Sequence, residues 1–437
     1  MKKLSPQSPT NPAGRQPPVV ESFSGPCLTK YGGAGLWRRF LAKLHLPQLL
    51  AEVRCPWPGR RFQAVDYLMA LLAGLLLGLQ RQSEVADLGE DPGACLALGL
   101  AKMPSQSSLS RFLAACPATL AVRLLALNRE LLGRLRHNYR SATIDLDGQV
   151  VSTRGNPQGA TFGFNRKRRG AKSYFMMMGV LAEARDILDA WLYPGHRATV
   201  SARAATQAYR RARRALGPAV KRLRLRADAA FYSDRFLSTL EHDQVTYFVA
   251  VPMYQPLQAQ VPGLIYCQLD RRWALAQFRY QGRRLVVLRE LLDPTNPDPQ
   301  KTLFTCDSYA YQMIVTNADW KLEDVWHFYN QRCRIENIIK ESQYDFGSNH
   351  VLSAAYGGNA TWLALSVLAY NLSNWFREKI LNQRAHRKMA TWLRRHLIEI
   401  PGRLVYSGRR HLLRLWREHP SRSLYEKALR TLEAWAL

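Results

Sequence analysis

The sequence predicts an α/β protein, with helices first, a sheet in the middle and helices again at the end. Three observations carry this. Apolar residues recur at helical spacing up to about residue 138 and alternate from 141 onward. The middle then reads strand-strand-strand-helix-strand-helix-strand, the order of an α/β sheet that opens on a meander. A second β-rich block follows at about 254–312 and gives way to strongly apolar helices.

Residues 1–28 are rich in Pro, Ser and Gly and are expected to form a disordered tail. Residues 29–138 hold "GLWRRFLAKLHLPQLLAEV", "AVDYLMALLAGLLLGLQ" and "LAVRLLALNRELLGRLR", a helical region expected to bind DNA. Within it "MPSQSSLSRFLAA" places Ser and Gln ahead of a short helix bearing Arg111. That is either the start of a helix-turn-helix recognition helix or a plain bundle helix capped by Ser. Core strands and helices are expected over 139–253, a β-rich insertion over 254–312, and the second part of the core over 313–380. Residues 381–437 are read as a basic, helical C-terminal region.

The 437 residues carry 62 Lys and Arg against 33 Asp and Glu, a formal net charge of +29. So large a surplus repels itself unless a polyanion is the partner, and nucleic acid comes first. A membrane fits less well. The longest apolar run, "YLMALLAGLLLGL", is shorter than the roughly 20 residues a span needs. No apolar stretch follows the basic N-terminus, so a cytoplasmic location is expected. The 7 cysteines are scattered without a CxxC pair, which argues against a disulfide framework or a structural zinc site.

Against this cationic background three acids stand out. Asp145 and Asp147 in "TIDLDG" fall on one face of an apolar strand, where acids are disfavoured. Asp228 in "LRLRADAAFYSD" ends a second strand, the position at which open α/β sheets place their sites. Glu336 lies in "YNQRCRIENIIKESQYDFG", read as one helix. Tyr329, Arg332, Glu336, Lys340 and Gln343 make one stripe there, beside an apolar stripe containing Ile335 and Ile339. Two strand-end aspartates and a helical glutamate form an oxygen-only set suited to Mg²⁺. The chemistry to which they point is two-metal phosphoryl transfer at a phosphodiester. Taken singly, each acid has a plainer reading as a turn, cap or salt-bridge residue.

In their order along the chain these motifs resemble the DDE transposases of bacterial insertion sequences. The likeness is to the cut-and-paste branch, whose RNase H-like catalytic core carries a β-rich insertion. That branch has a Tyr-x2-Arg-x3-Glu-x6-Lys signature, which here reads Tyr329, Arg332, Glu336 and then Gln343 in place of Lys. "DLDG", "RADAAF", "YPGHRAT", "VTN" and "LAYNL" agree in order, over about 140–410. The resemblance implies Asp147, Asp228 and Glu336 as catalytic ligands of Mg²⁺, with Mn²⁺ a substitute. Asp147 is preferred to Asp145 because Gly148 follows it. It implies phosphate contacts by Tyr329 and Arg332, and by Gln343 or, one turn earlier, Lys340. It also implies backbone contacts by Arg166, Lys167 and Arg168 in "NRKRRGAK", and stacking of Trp273 on a flipped base. The expected activity is binding of terminal inverted repeats, cleavage of the DNA ends and joining to target DNA by a homodimer. The alternative is a transposase-derived DNA-binding repressor, and a nuclease of the same fold is a third reading.

Overall fold

The computed structural model describes residues 27–436 except 60, 137–138, 164, 166–167, 196–199, 293–304, 307, 382–384 and 386. Thirteen strands are described: β1 Leu28–Thr29, β2 Ser141–Ser152, β3 Ser173–Leu181, β4 Asp186–Pro194, β5 Arg222–Ala227, β6 Thr246–Ala250, β7 Cys267–Gln268, β8 Trp273–Tyr280, β9 Arg283–Leu291, β10 Thr305–Cys306, β11 Tyr309–Thr316, β12 Gly402–Ser407 and β13 Arg410–Leu415. Ten of them make one sheet in the order β4-β3-β2-β5-β6-β11-β9-β8-β7, with β10 paired to β11. Strands β2, β3 and β4 are an antiparallel meander, while β5 and β6 run parallel to β2. This five-strand order is the RNase H-like core expected from the sequence. Every residue of β3, "SYFMMMGVL", is buried, as in a strand covered on both faces.

Seven helices precede the sheet: α1 Gly35–Lys43, α2 Leu46–Glu52, α3 Ala64–Leu77, α4 Gln82–Asp87, α5 Pro92–Leu98, α6 Gln106–Ala115 and α7 Ala118–Arg136. The parallel crossovers use α8 Ala202–Leu216 and α9 Asp234–His242, capped by the Ser201 and Ser233 hydroxyls. A short α10, Gln255–Gln258, precedes β7. After β11 come α11 Leu322–Asn330, α12 Cys333–Phe346 and α13 Tyr356–Ile380. Helix α13 is buried almost throughout and packs against α3, α6, α7, α12 and β4. Among the described residues no single helix is long and apolar enough to cross a membrane.

Polar clamps join these layers. Asn371, from "LAYNL", accepts from the Ile187 amide at 2.9 Å and donates to Asn128 of α7 at 2.8 Å. Arg136 of α7 donates to Asp186 at 2.7 Å and pairs with Glu378 of α13. Asn317, from "VTN", accepts from the Tyr247 amide at 3.0 Å and donates to the Val245 carbonyl at 2.9 Å, tying β11 to β6. One continuous apolar core therefore runs from the N-terminal helices through α13 to the sheet.

Three details differ from the sequence reading. The stretch 329–347 is not one helix: α11 ends at Asn330 and α12 begins at Cys333. The strands of 254–312 extend the central sheet, and β11 straddles 312, so the expected boundary there falls inside a strand. The C-terminal region is not wholly helical. Strands β12 and β13 form a hairpin, and β1 joins it to make a three-stranded sheet. A two-residue turn at Gly408-Arg409, both with positive φ, decides the hairpin. Short apolar runs such as "RHLLRL" fit either period. The tail expected over 1–28 lies outside the described residues except for Cys27 and Leu28, and Leu28 is a strand residue. Helix α6 starts on a Ser105 cap and buries Leu109, Phe112 and Leu113, leaving Arg111 exposed.

Candidate active site

Strands β2 and β5 run side by side, with Asp145 opposite Arg226. Arg226 is buried and donates to both Asp145 oxygens, at 2.6 and 2.8 Å. Burial pushes the Asp145 carboxyl up to about 6 even so. Asp145 is thus held in a closed, bidentate pair. Arg226 also donates to the Phe328 carbonyl at 2.7 Å, fixing the end of α11 over the sheet.

Asp147 comes two residues later on the same face. Its Oδ1 accepts from the Gly148 amide at 2.9 Å, and its Oδ2 lies 3.8 Å from Nη1 of Arg332. A Cβ on Gly148 would come within 2.3 Å of the Phe175 ring, so the strand passes that ring only because this residue is glycine. Asp228 follows the last residue of β5 and caps a short turn, its Oδ1 accepting from the Ala230 amide at 3.1 Å.

The helix break supplies the rest. Tyr329 lies in the last turn of α11, and Arg332 lies in the gap before α12. Glu336 is exposed in the first turn of α12. Burial pushes the Asp147 carboxyl up to about 6; Arg332 and the Gly148 amide oppose this, while the charges of Asp228 and Glu336 add to it. Burial raises Asp228 as well, again opposed by Arg332. Tyr329 is raised by burial and hydrogen-bonds Arg332, whose guanidinium is held charged by Tyr329, Asp147 and Asp228. Asp147 and Asp228 therefore share Arg332 as counterion, and Glu336 adds its charge at Asp147. Among the described residues no three acid, His or Cys side chains already converge as metal ligands. The donor set nonetheless fits a hard divalent cation: it is all oxygen, Asp147 is buried and Asp228 half-buried, and the charges of Asp228 and Glu336 both bear on Asp147. The buried Nη1 of Arg332 has no hydrogen-bond partner among the described residues.

A family model described as the transposase DDE domain, group 1, matches residues 11–436. The chain belongs to this transposase family. No curated protein matches it by sequence. Among solved structures the transposase chain is similar to a piggyBac transposase synaptic complex with hairpin DNA. There the identity is 11% over 80% of this chain and 77% of that one, with a TM-score of 0.44. It is also similar to the Mos1 strand transfer complex, at 17% identity over 46% of this chain and 62% of that one, with a TM-score of 0.18. These likenesses carry no argument about the site.

The remaining sequence-predicted residues of this transposase divide clearly. Lys340 is exposed and lines a groove with Arg185, Arg334 and Arg387. Gln343 does not face solvent: it is buried and donates to Gln149 of β2, so the expected phosphate contact fails there. The stripe breaks because α12 packs its later turns against α13 and α3. Glu341 anchors it, buried against Arg377 at 2.8 Å and the Ala390 amide at 2.9 Å. Trp273 is half-buried, its ring 5.9 Å from that of Trp326 in α11. It packs in a cluster with Phe248, Trp320 and Phe328 rather than standing free for a base. Arg168 is exposed, whereas Arg166 and Lys167 lie outside the described residues. Sequence reasoning missed Arg226 and Gln149. The alternation of Arg222, Arg224 and Arg226 in "RLRLRA" was the available signal, since an arginine on a buried strand requires an acid opposite.

Proposed function

We propose that this transposase cleaves DNA at the ends of a mobile element and joins them to target DNA, with Asp147, Asp228 and Glu336 as the ligands of Mg²⁺. The observation that carries the reading is that Asp147, within β2, and Asp228, just past the end of the neighbouring β5, share Arg332 as counterion, with the charge of Glu336 reaching Asp147. Bound divalent ions would supply Lewis-acid charge at the attacking and leaving oxygens. The protein's own part is positional. Arg332 offers a buried guanidinium nitrogen to a phosphate oxygen, and the hydrogen bond it donates to the Tyr329 oxygen holds that arginine in place. The low exposure of Asp147 excludes water from its carboxylate and strengthens each of these interactions. Terminal inverted repeats as the substrate, a homodimer on paired ends, and an origin in a bacterial insertion sequence belong to the same proposal.

Asp228→Ala and Glu336→Ala, assayed on duplexes carrying the element's ends, should abolish Mg²⁺-dependent cleavage and leave DNA binding within about threefold, a surface-scale effect. Normal cutting by either variant removes the triad. The second reading, a DNA-binding repressor, is favoured by the burial of Gln343, which withdraws one expected phosphate contact. Wild-type protein that binds the ends and never cuts them would decide for it.

A further inference from the structure

The β12–β13 hairpin presents a face that the candidate active site does not use. Its register opposes Arg403 to Arg414, Val405 to Leu412 and Ser407 to Arg410, and alternation puts these six on one side. The other side is seated on the protein at its base, where Leu404 is buried and Leu413 packs against the core; nearer the tip Tyr406 and His411 are exposed and their rings meet each other at 4.5 Å. On the outward side Arg403, Ser407, Arg410, Leu412 and Arg414 are all exposed.

Two features of that side are costly for an isolated protein. Arg403 and Arg414 are like charges placed directly across a ladder, which is destabilising. Arg409 sits at the tip with φ of 61°, a left-handed conformation that is unfavourable for a residue with a side chain. Among the described residues none of Arg403, Arg409, Arg410 and Arg414 takes part in an ion pair or side-chain hydrogen bond. A polyanion relieves the first cost and uses the tip guanidinium that the second one presents.

The shape narrows the partner. Strand β1 pairs with Gly402 and Arg403 at the base, where the Leu404 amide also donates to the Cys27 carbonyl, and beyond that point the element is two-stranded among the described residues, with β13 at its edge. Two strands about 5 Å apart, each about 20 Å long, match what the roughly 12 Å wide major groove of B-DNA admits. The Val405–Leu412 pair lies at the middle of the face, flanked on both sides by arginines. We propose that this ribbon enters the major groove of duplex DNA, its four arginines gripping phosphates and Val405 and Leu412 meeting base edges such as thymine methyls.

The inference rests on the reading of the chain as a transposase that acts on DNA, and the experiment separates the two. Full-length protein is titrated into fluorescein-labelled mixed-sequence duplex DNA, with anisotropy read over a range of salt. Arg403→Ala/Arg410→Ala/Arg414→Ala should weaken binding tenfold or more and lower the slope of log K against log salt by about 3, near 0.9 per lost phosphate contact. Arg410→Ala alone should lower it by about 1, which keeps the test open if the triple variant misfolds. Methyl green bound in the major groove should compete, and netropsin in the minor groove should not. If the wild type binds and the variants match it in affinity and slope, the ribbon proposal fails and the function stands. If the variants lose binding only to single-stranded RNA or to anionic lipid vesicles, the proposal also fails. If the wild type does not bind duplex DNA, the functional reading falls and takes the ribbon with it.

Discussion

Nη1 of Arg332 lies 3.8 Å from Oδ2 of Asp147, and that buried nitrogen has no hydrogen-bond partner among the described residues. The arginine acts as counterion to the acids and keeps one donor direction unused. Arg332→Ala should therefore lower end cleavage by about 10²–10³, the scale of losing one directed donor in a water-poor site. Arg332→Lys should recover little, because an ammonium cannot bond Tyr329 and a phosphate in the same planar fork. Single-turnover cleavage with saturating protein checks this, and near wild-type rates for the lysine variant would contradict it.

The Asp147 carboxyl is held at about 6, above its ordinary value of 3.8. Between roughly pH 4 and 6 the folded protein binds more protons than the unfolded chain, so stability falls as pH rises through that window. At pH 7.5 the ionised site costs on the order of 2–3 kcal/mol. Two outcomes are expected in thermal melts. Asp147→Asn should be at least as stable as wild type at pH 7.5 and lose that advantage near pH 4. Mg²⁺ should raise the Tm of wild type at pH 7.5 and have little effect on the variant. A destabilised Asp147→Asn would show that the aspartate serves the fold.

Asp145 should behave in the opposite way. It shares a buried bidentate pair with Arg226, and both side chains are 2% exposed. Removing one partner strands the other charge, at a cost of about 3–5 kcal/mol. Asp145→Ala should show that loss in urea unfolding, whereas Asp145→Leu/Arg226→Met should recover most of it. Equal stability of Asp145→Ala and wild type would mean that the pair does not hold β2 to β5.

The contrast between these two aspartates shows what was legible in the sequence. Alternation put both on one face, and the meander with its parallel crossovers followed from β-formers and Ser caps. The motifs "VTN" and "LAYNL" were found by their order, although Asn317 and Asn371 proved to bond backbone and fasten the fold. What was not legible depended on partners remote in sequence. Arg226 lies 81 residues from Asp145, and nothing local reveals that register. The helix break at Gln331–Arg332 was missed because these two residues are themselves good helix formers and no Gly or Pro marks the break. The β12–β13 hairpin hid because its leucines fit a helical period, and only the positive φ at Gly408 and Arg409 decides it.

Gln343 closes the argument about the signature. It stands where a lysine is expected, yet it is buried at 7% exposure and donates to Gln149 of β2. Gln343→Lys would bury an ammonium with only an amide oxygen to receive it, at a cost of several kcal/mol unless it deprotonates or the helix shifts. The expected result is a lower urea midpoint with no gain in affinity for duplex DNA. Gln343→Lys/Gln149→Glu should restore stability by pairing the charge, still without a gain in affinity. A single lysine variant that binds DNA tighter and unfolds no earlier would place this side chain on the DNA face and overturn the buried assignment.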